Sequence, residues 1–177
     1  MAPSFEVHVE WPEHALLPPR HWPKECPEAT TATYLLLDYL DHAKVHASFY
    51  VLGEVALRCP HLITLIQRAG HRIGSHGFWH GHREREGDVG DWLARRYLPE
   101  CIGYRSPFWD TTPRPGWSGG AFFRVLPYGW LKWEIERSGV FWVHPHDLYN
   151  AHRGPLRRRL FLCDPWKRFA RLLKELD

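Results

Sequence analysis

The segment SFEVHVEW alternates strictly, with Phe5, Val7 and Val9 on one side and Glu6, His8 and Glu10 on the other. That two-residue period predicts a strand whose polar side can line a site. The proline-rich residues 12–27 read as loop. Over residues 30–42, Tyr34, Leu37 and Leu40 recur at helical spacing behind a threonine cap. Residues 47–52 form a short apolar run ended by Gly53, which is strand chemistry. Residues 54–68 carry Val55, Leu62, Leu65 and Ile66 in a helical pattern interrupted near Pro60, and Gly70 is placed to end it. Ile73 leads a short strand into Ser75 and His76. Residues 141–143 predict another buried strand that stops at His144, and residues 166–176 a terminal amphipathic helix.

Strands and helices in alternation predict parallel pairing with helices packed outside, because parallel strands need long crossovers. The expected class is therefore α/β, a barrel or an open sheet. At 177 residues with 44% hydrophobic content, the chain supports one sizeable core, and residues 1–177 are read as a single domain. No internal repeat or linker interrupts it.

Charge changes little in this picture. The net +3, from 23 basic against 20 acidic residues, gathers late, in HRGPLRRRL and PWKRFARLLKE. Without a DNA or RNA recognition signature, that stretch is read as a solvated surface, and no nucleic-acid partner is expected. No apolar run approaches the roughly 20 residues needed to cross a bilayer. Cys26, Cys59, Cys101 and Cys163 are widely spaced, and MAPSFEVHVE lacks a signal-peptide pattern, so the expected setting is a reducing cytoplasm, with peripheral contact at the inner membrane surface left open. More telling are 13 His and 10 Trp. Histidines suit metal ligation or proton transfer, and the tryptophans are expected mostly in the core.

In GSHGFWHG, His76 and His80 are four residues apart. If Gly77 starts a helical turn, both fall on one face and close on one ion. They follow a predicted strand, and ligand sites in parallel α/β folds gather at the carboxyl ends of strands.

The stretch from Val45 to Gly81 containing these histidines resembles the polysaccharide deacetylases of carbohydrate esterase family four. GYRSPF is similar to that family's Arg-x-Pro groove motif, GGAFFRVLPY to a segment of one subgroup, and FWVHPHDL to its late His-Pro motif. The resemblance implies a distorted or incomplete (β/α) barrel and a divalent-metal hydrolase that removes N- or O-acetyl groups from sugars. It makes His76 and His80 metal ligands, Arg105, Pro107 and Phe108 the substrate groove, and His144 the general acid. Zinc is the expected ion, with cobalt, nickel or manganese as alternatives. The implied partner is an acetylated sugar or sugar conjugate, an intermediate of surface polysaccharide biosynthesis.

Two departures from the family pattern bear on the chemistry. Relatives place an aspartate base at the end of the first strand and an acidic ligand one or two residues later, whereas this chain reads His8-Val9-Glu10. Either Glu10, His76 and His80 hold the ion and neutral His8 is the base, the preferred assignment, or His8 joins the two histidines as a ligand and Glu10 is the base. Loss of catalysis, leaving a metal- and sugar-binding relative, is a further reading, as is a deformylase or other amidase of the same superfamily. The segment between Arg105 and Gly119 is also short, so the aspartate that orients the late histidine in relatives must be replaced, by Asp110 or Asp147.

Overall fold

A computed structural model describes residues 4–10, 27–80, 85–98, 100–107, 123, 126–149 and 164–176. Its centre is a parallel sheet of β1 (Ser4–Val9), β2 (Ser48–Val51), β3 (Arg72–Ser75) and β4 (Val140–Val143), in the order β3-β2-β1-β4. The helices are α1 (Pro27–Ala43), α2 (Gly53–Arg58), α3 (Pro60–Arg68), α4 (Val89–Arg95), α5 (Tyr128–Ser138), α6 (Pro145–Tyr149) and α7 (Pro165–Leu176).

The crossovers follow the alternation read from the sequence: α1 joins β1 to β2, and α2 with α3 joins β2 to β3. β4 returns to the other edge of β1, pairing Ser4 with Val140 and Val7 with Val143. On the outer edge of β3 the chain passes once more in parallel. Ile102 N donates to Ile73 O at 2.8 Å, Ser75 N to Gly103 O at 2.8 Å, and Arg105 N to Ser75 O at 2.9 Å. Among the described residues the sheet does not close on itself, as an incomplete barrel requires.

Phe5, Val7 and Val9 face the helices, where Phe5 lies 5.2 Å from Phe141 and 5.5 Å from Phe169, between ring centroids. Phe169 and Leu172 bring α7 onto this layer, and Leu36 and Leu40 bring α1. Fully burying side chains of this size stabilises the fold by about 1.5–3 kcal/mol each. The opposite side of β1 is buried as well: Glu6, His8 and Glu10 are only 3%, 1% and 4% exposed. The alternation therefore separates a hydrocarbon face from a polar interior, not core from solvent.

Several local expectations need correction. The threonine cap is not used, since α1 starts three residues earlier at Pro27, whose fixed φ suits a first helical turn. The 54–68 pattern is two helices broken at Cys59, with Pro60 opening the second. Proline has no N–H to continue a helix, and it pushes the preceding residue out of helical geometry. Of the described tryptophans only Trp142 is buried; Trp92, Trp130 and Trp133 are exposed, because the helices put them on outward faces. Cys59 and Cys101 are free thiols, and no described helix is long and apolar enough to cross a membrane.

One buried histidine lies away from the polar interior. His71 Nδ1 accepts a hydrogen bond from Ala47 N at 3.3 Å, with Phe49 and His46 packed beside the ring. Burial, reinforced by His46, pushes its pKa from 6.5 down to about 4. Between those values the unfolded chain holds a proton that the folded chain refuses, so this contribution to stability is complete above pH 6.5 and is lost as pH falls through about 4. His71→Asn keeps an acceptor for Ala47 without a titrating ring. Urea unfolding from pH 7 down to 4.5 should show the variant losing less stability than wild type, by about 1–3 kcal/mol. Identical losses in the two proteins would refute this role.

Candidate functional site

Ionisable side chains buried as deeply as those of β1 need partners, since a lone buried charge is strongly unfavourable. The sheet order supplies them. Glu10 leaves the carboxyl end of β1, His76 follows β3 and His144 follows β4, so the histidines from both flanks meet the carboxylate of the central strand.

Glu10 Oε2 lies 2.7 Å from His80 Nε2 and 3.5 Å from His76 Nε2, and Oε1 lies 3.5 Å from His144 Nε2. The surrounding imidazoles shape the carboxyl's acidity. Burial works to raise its pKa, but the charges of His144 and His80 and hydrogen bonds with His76 and His80 hold it well below the ordinary value. His76 Nδ1 donates to Arg105 O at 2.7 Å. A carbonyl only accepts, so Nδ1 carries a proton, and Nε2 on the Glu10 side is the nitrogen that would exchange its own proton for a metal. One donor atom each from Glu10, His76 and His80 falls within 4.8 Å of the others, and all three residues are buried. Two imidazoles and a carboxylate are a donor set that fits a divalent cation of the kind that keeps an open catalytic position.

The two histidines do not share a helical turn as expected. Gly77 has φ +76°, in the left-handed region, and the chain from His76 to His80 is a loop. Backbone hydrogen bonds hold it: Ser75 Oγ accepts from Gly77 N at 3.2 Å, Gly77 O from Gly53 N at 2.8 Å, and Phe78 O from Glu54 N at 3.3 Å. The last two donors belong to the first turn of α2, where N–H groups have no partner within the helix. Convergence thus comes from a loop docked on a helix end.

His8 is placed differently from Glu10. Its ring stacks on Trp142 at 5.2 Å and lies 4.9 Å from His76 and 6.0 Å from His144. His8 Nε2 is 3.5 Å from Glu6 Oε2, and His8 is in neither of the metal-capable groups found among the described residues. Burial pushes its pKa down to about 3, helped by His76 and His144 and opposed by Glu6. The ring is therefore neutral at ordinary pH.

Glu6 is the residue that sequence reasoning missed. Arg105 grips it with both ends of the guanidinium, Nε to Oε2 at 3.0 Å and Nη2 to Oε1 at 2.7 Å. Burial would raise the Glu6 pKa, but hydrogen bonds from His8 and Arg105 overcome it and hold the carboxyl at about 2. Arg105, expected in the substrate groove, is thus fastened to an internal carboxylate, with its guanidinium 5.0 Å over the Tyr50 ring. Pro107, two residues on, is buried, and Phe108 lies outside the described residues, as does Asp110. The other candidate for orienting the late histidine is in place: Asp147 Oδ2 is 2.8 Å from His144 Nδ1.

A separate cavity of about 440 Å³, lined by Ser4, Lys44, His46, Ser48 and Arg72 among others, opens at the amino ends of the strands. It lies at the wrong end of the sheet to serve the Glu10 cluster.

A family model described as polysaccharide deacetylase matches residues 24–91. A peptidoglycan-N-acetylglucosamine deacetylase of Bacillus cereus is 24% identical over an alignment of 144 positions that covers 71% of this chain and 64% of that protein, so the chain spans less than two thirds of this relative. A Mycobacterium smegmatis structure classed with the polysaccharide deacetylases superposes with a TM-score of 0.63 at 17% identity, covering 99% of this chain and 85% of that one. A Bacillus anthracis protein described as a carbohydrate esterase family four pseudoenzyme superposes with a TM-score of 0.52 at 10% identity, covering 97% and 60%. At such identities the structural likeness speaks for the fold.

The docking of the histidine loop can be tested at Gly53, where an added Cβ would sit 2.5 Å from Phe78 Cδ2 and 2.7 Å from Ala94 Cα. Ala94 Cα is backbone and cannot swing aside. Gly53→Ala should cost about 1–3 kcal/mol of stability in urea unfolding and weaken whatever retention of added divalent metal the wild type shows in equilibrium dialysis. Unchanged stability and unchanged retention together would show that this contact does not hold the loop.

Proposed function

We propose that this chain, a short and divergent member of the polysaccharide deacetylase family, is a divalent-metal hydrolase that removes an acetyl group from a sugar. An N-acetylated amino sugar is the proposed substrate, in keeping with the peptidoglycan-N-acetylglucosamine deacetylase relative. The observation that carries the reading is the buried convergence of Glu10, His76 and His80. These three would hold the ion, and zinc suits two imidazoles with one carboxylate. A bound divalent cation supplies Lewis acidity, polarising the acyl carbonyl and acidifying water in the site.

The remaining roles belong to the chain's own groups. Neutral His8 accepts the proton of the attacking water, while Glu6, locked by Arg105, keeps the imidazole oriented and balances the charge it gains. His144 delivers a proton to the leaving nitrogen, which cannot depart as an amide anion. Asp147 at Nδ1 leaves His144 Nε2 as the nitrogen that exchanges this proton, and stabilises the protonated ring. Water thus loses a proton to one histidine as its oxygen bonds the acyl carbon, the C–N bond breaks, and the amine gains a proton from another, leaving acetate.

A second reading, a metal- and sugar-binding relative without turnover, is favoured by one observation. His8 stands where relatives carry an aspartate base, and its Nε2 is turned toward Glu6. Acetate release from a panel of N-acetyl sugars distinguishes the two. Under the hydrolase reading, zinc-loaded wild type releases acetate, His76→Ala loses the metal and the activity, and His144→Ala keeps the metal while kcat falls by about 10²–10⁴. A metal-loaded wild type that releases no acetate from any of the sugars establishes the second reading. His8→Ala should abolish turnover with the metal retained; loss of zinc from that variant would instead make His8 a ligand.

A further inference from the structure

His144 is followed by Pro145 and then His146, and the strand-to-helix turn brings the two imidazoles together. Their rings lie 4.9 Å apart at an interplanar angle of 10°. The turn thus sets ring nitrogens of both residues at one edge of the site. Glu10 stands within reach: Glu10, His144 and His146 each offer a donor atom within 4.8 Å of the other two. This set is distinct from Glu10, His76 and His80, and the two meet only at the Glu10 carboxylate.

The carboxylate faces both sets, one oxygen to each. Oε2 is directed to His76 and His80, and Oε1 to His144. The Nδ1 hydrogen bond with Asp147 points His144 Nε2 toward Glu10, an outer carboxylate orienting an imidazole as it commonly does for metal-bound histidines. His144 and His146 are also less deeply buried than the first set.

We propose that Glu10, His144 and His146 form a second divalent-cation site, weaker than the first, that shares the Glu10 carboxylate with it. Weaker binding follows from the charge of the first ion a short distance away; ions in two-metal sites lie about 3.5–4 Å apart. It follows also from a carboxylate whose charge is already partly neutralised. Resting on the reading of His144 as the acid, a further consequence is that a cation on Nε2 displaces the proton that the leaving nitrogen needs. Excess zinc then inhibits a hydrolase that a first equivalent activates.

Equilibrium dialysis of the full chain against rising zinc, with metal per chain read by elemental analysis, tests this. Wild type should fill in two steps, reaching two equivalents. His146→Ala and the milder His146→Asn, shown to be folded by their thermal unfolding, should keep the first step and lose the second. His80→Ala should lose the first step. In the same titration, acetate release by wild type should fall as the second step fills, and that of the His146 variants should not. A wild type that stops at one equivalent, or a second step unmoved by either His146 substitution, overturns the proposal. Absence of the first step would instead count against the hydrolase reading, so the two failures are separable.

Discussion

A carboxylate that is 4% exposed, on the central strand of a parallel sheet, is the constraint around which this interior is organised. Burying it uncompensated would cost several kcal/mol. The groups that compensate it are imidazoles arriving from loops after other strands of the sheet, His76 and His80 after β3 on one side and His144 after β4 on the other. Imidazole is the side chain that changes charge near neutrality and also binds metals. The need for charge balance and the capacity to hold a cation are therefore met by the same atoms, and stability and chemistry in this interior are coupled.

Behind this centre lies a second layer with its own balance. Glu6 sits on the same face of β1 as His8 and Glu10, and its negative charge is answered by Arg105 from the passage beside β3. The bidentate pair spans the sheet from its central strand to its outer edge. Arg105 contributes twice, since its carbonyl also sets the tautomer of His76. A substitution at this position would disturb the His8 side and the His76 side together, although Arg105 is in neither donor set.

Much of this arrangement was legible in the sequence, for identifiable reasons. The strict alternation around His8 marked both faces of β1, and a proline and a glycine marked where the 54–68 helix breaks and ends. The pair His76 and His80, Glu10 as their carboxylate partner, and Asp147 as one candidate to orient His144 were also legible. What stayed hidden depended on three dimensions. The Glu6–Arg105 pair joins residues 99 apart, and neither side chain announces the other. The spacing of His76 and His80 fits a helix as well as a loop, and the left-handed Gly77 decides between them. The tryptophans mislead because amphipathic helices can carry large aromatic side chains on outward faces, as at Trp130 and Trp133.

The pairing of Ser4 with Val140 sets when this interior can exist. β1 leaves the ribosome long before its partner β4, with two strands and five helices made between them. Contacts so distant in sequence close late and slowly, because the entropy of the intervening chain is lost before they repay it. Until then β1 has only β2 beside it, and Glu10 lacks the histidine that follows β4. A truncated or stalled chain that lacks β4 therefore carries Glu10 without the imidazole that balances its other oxygen.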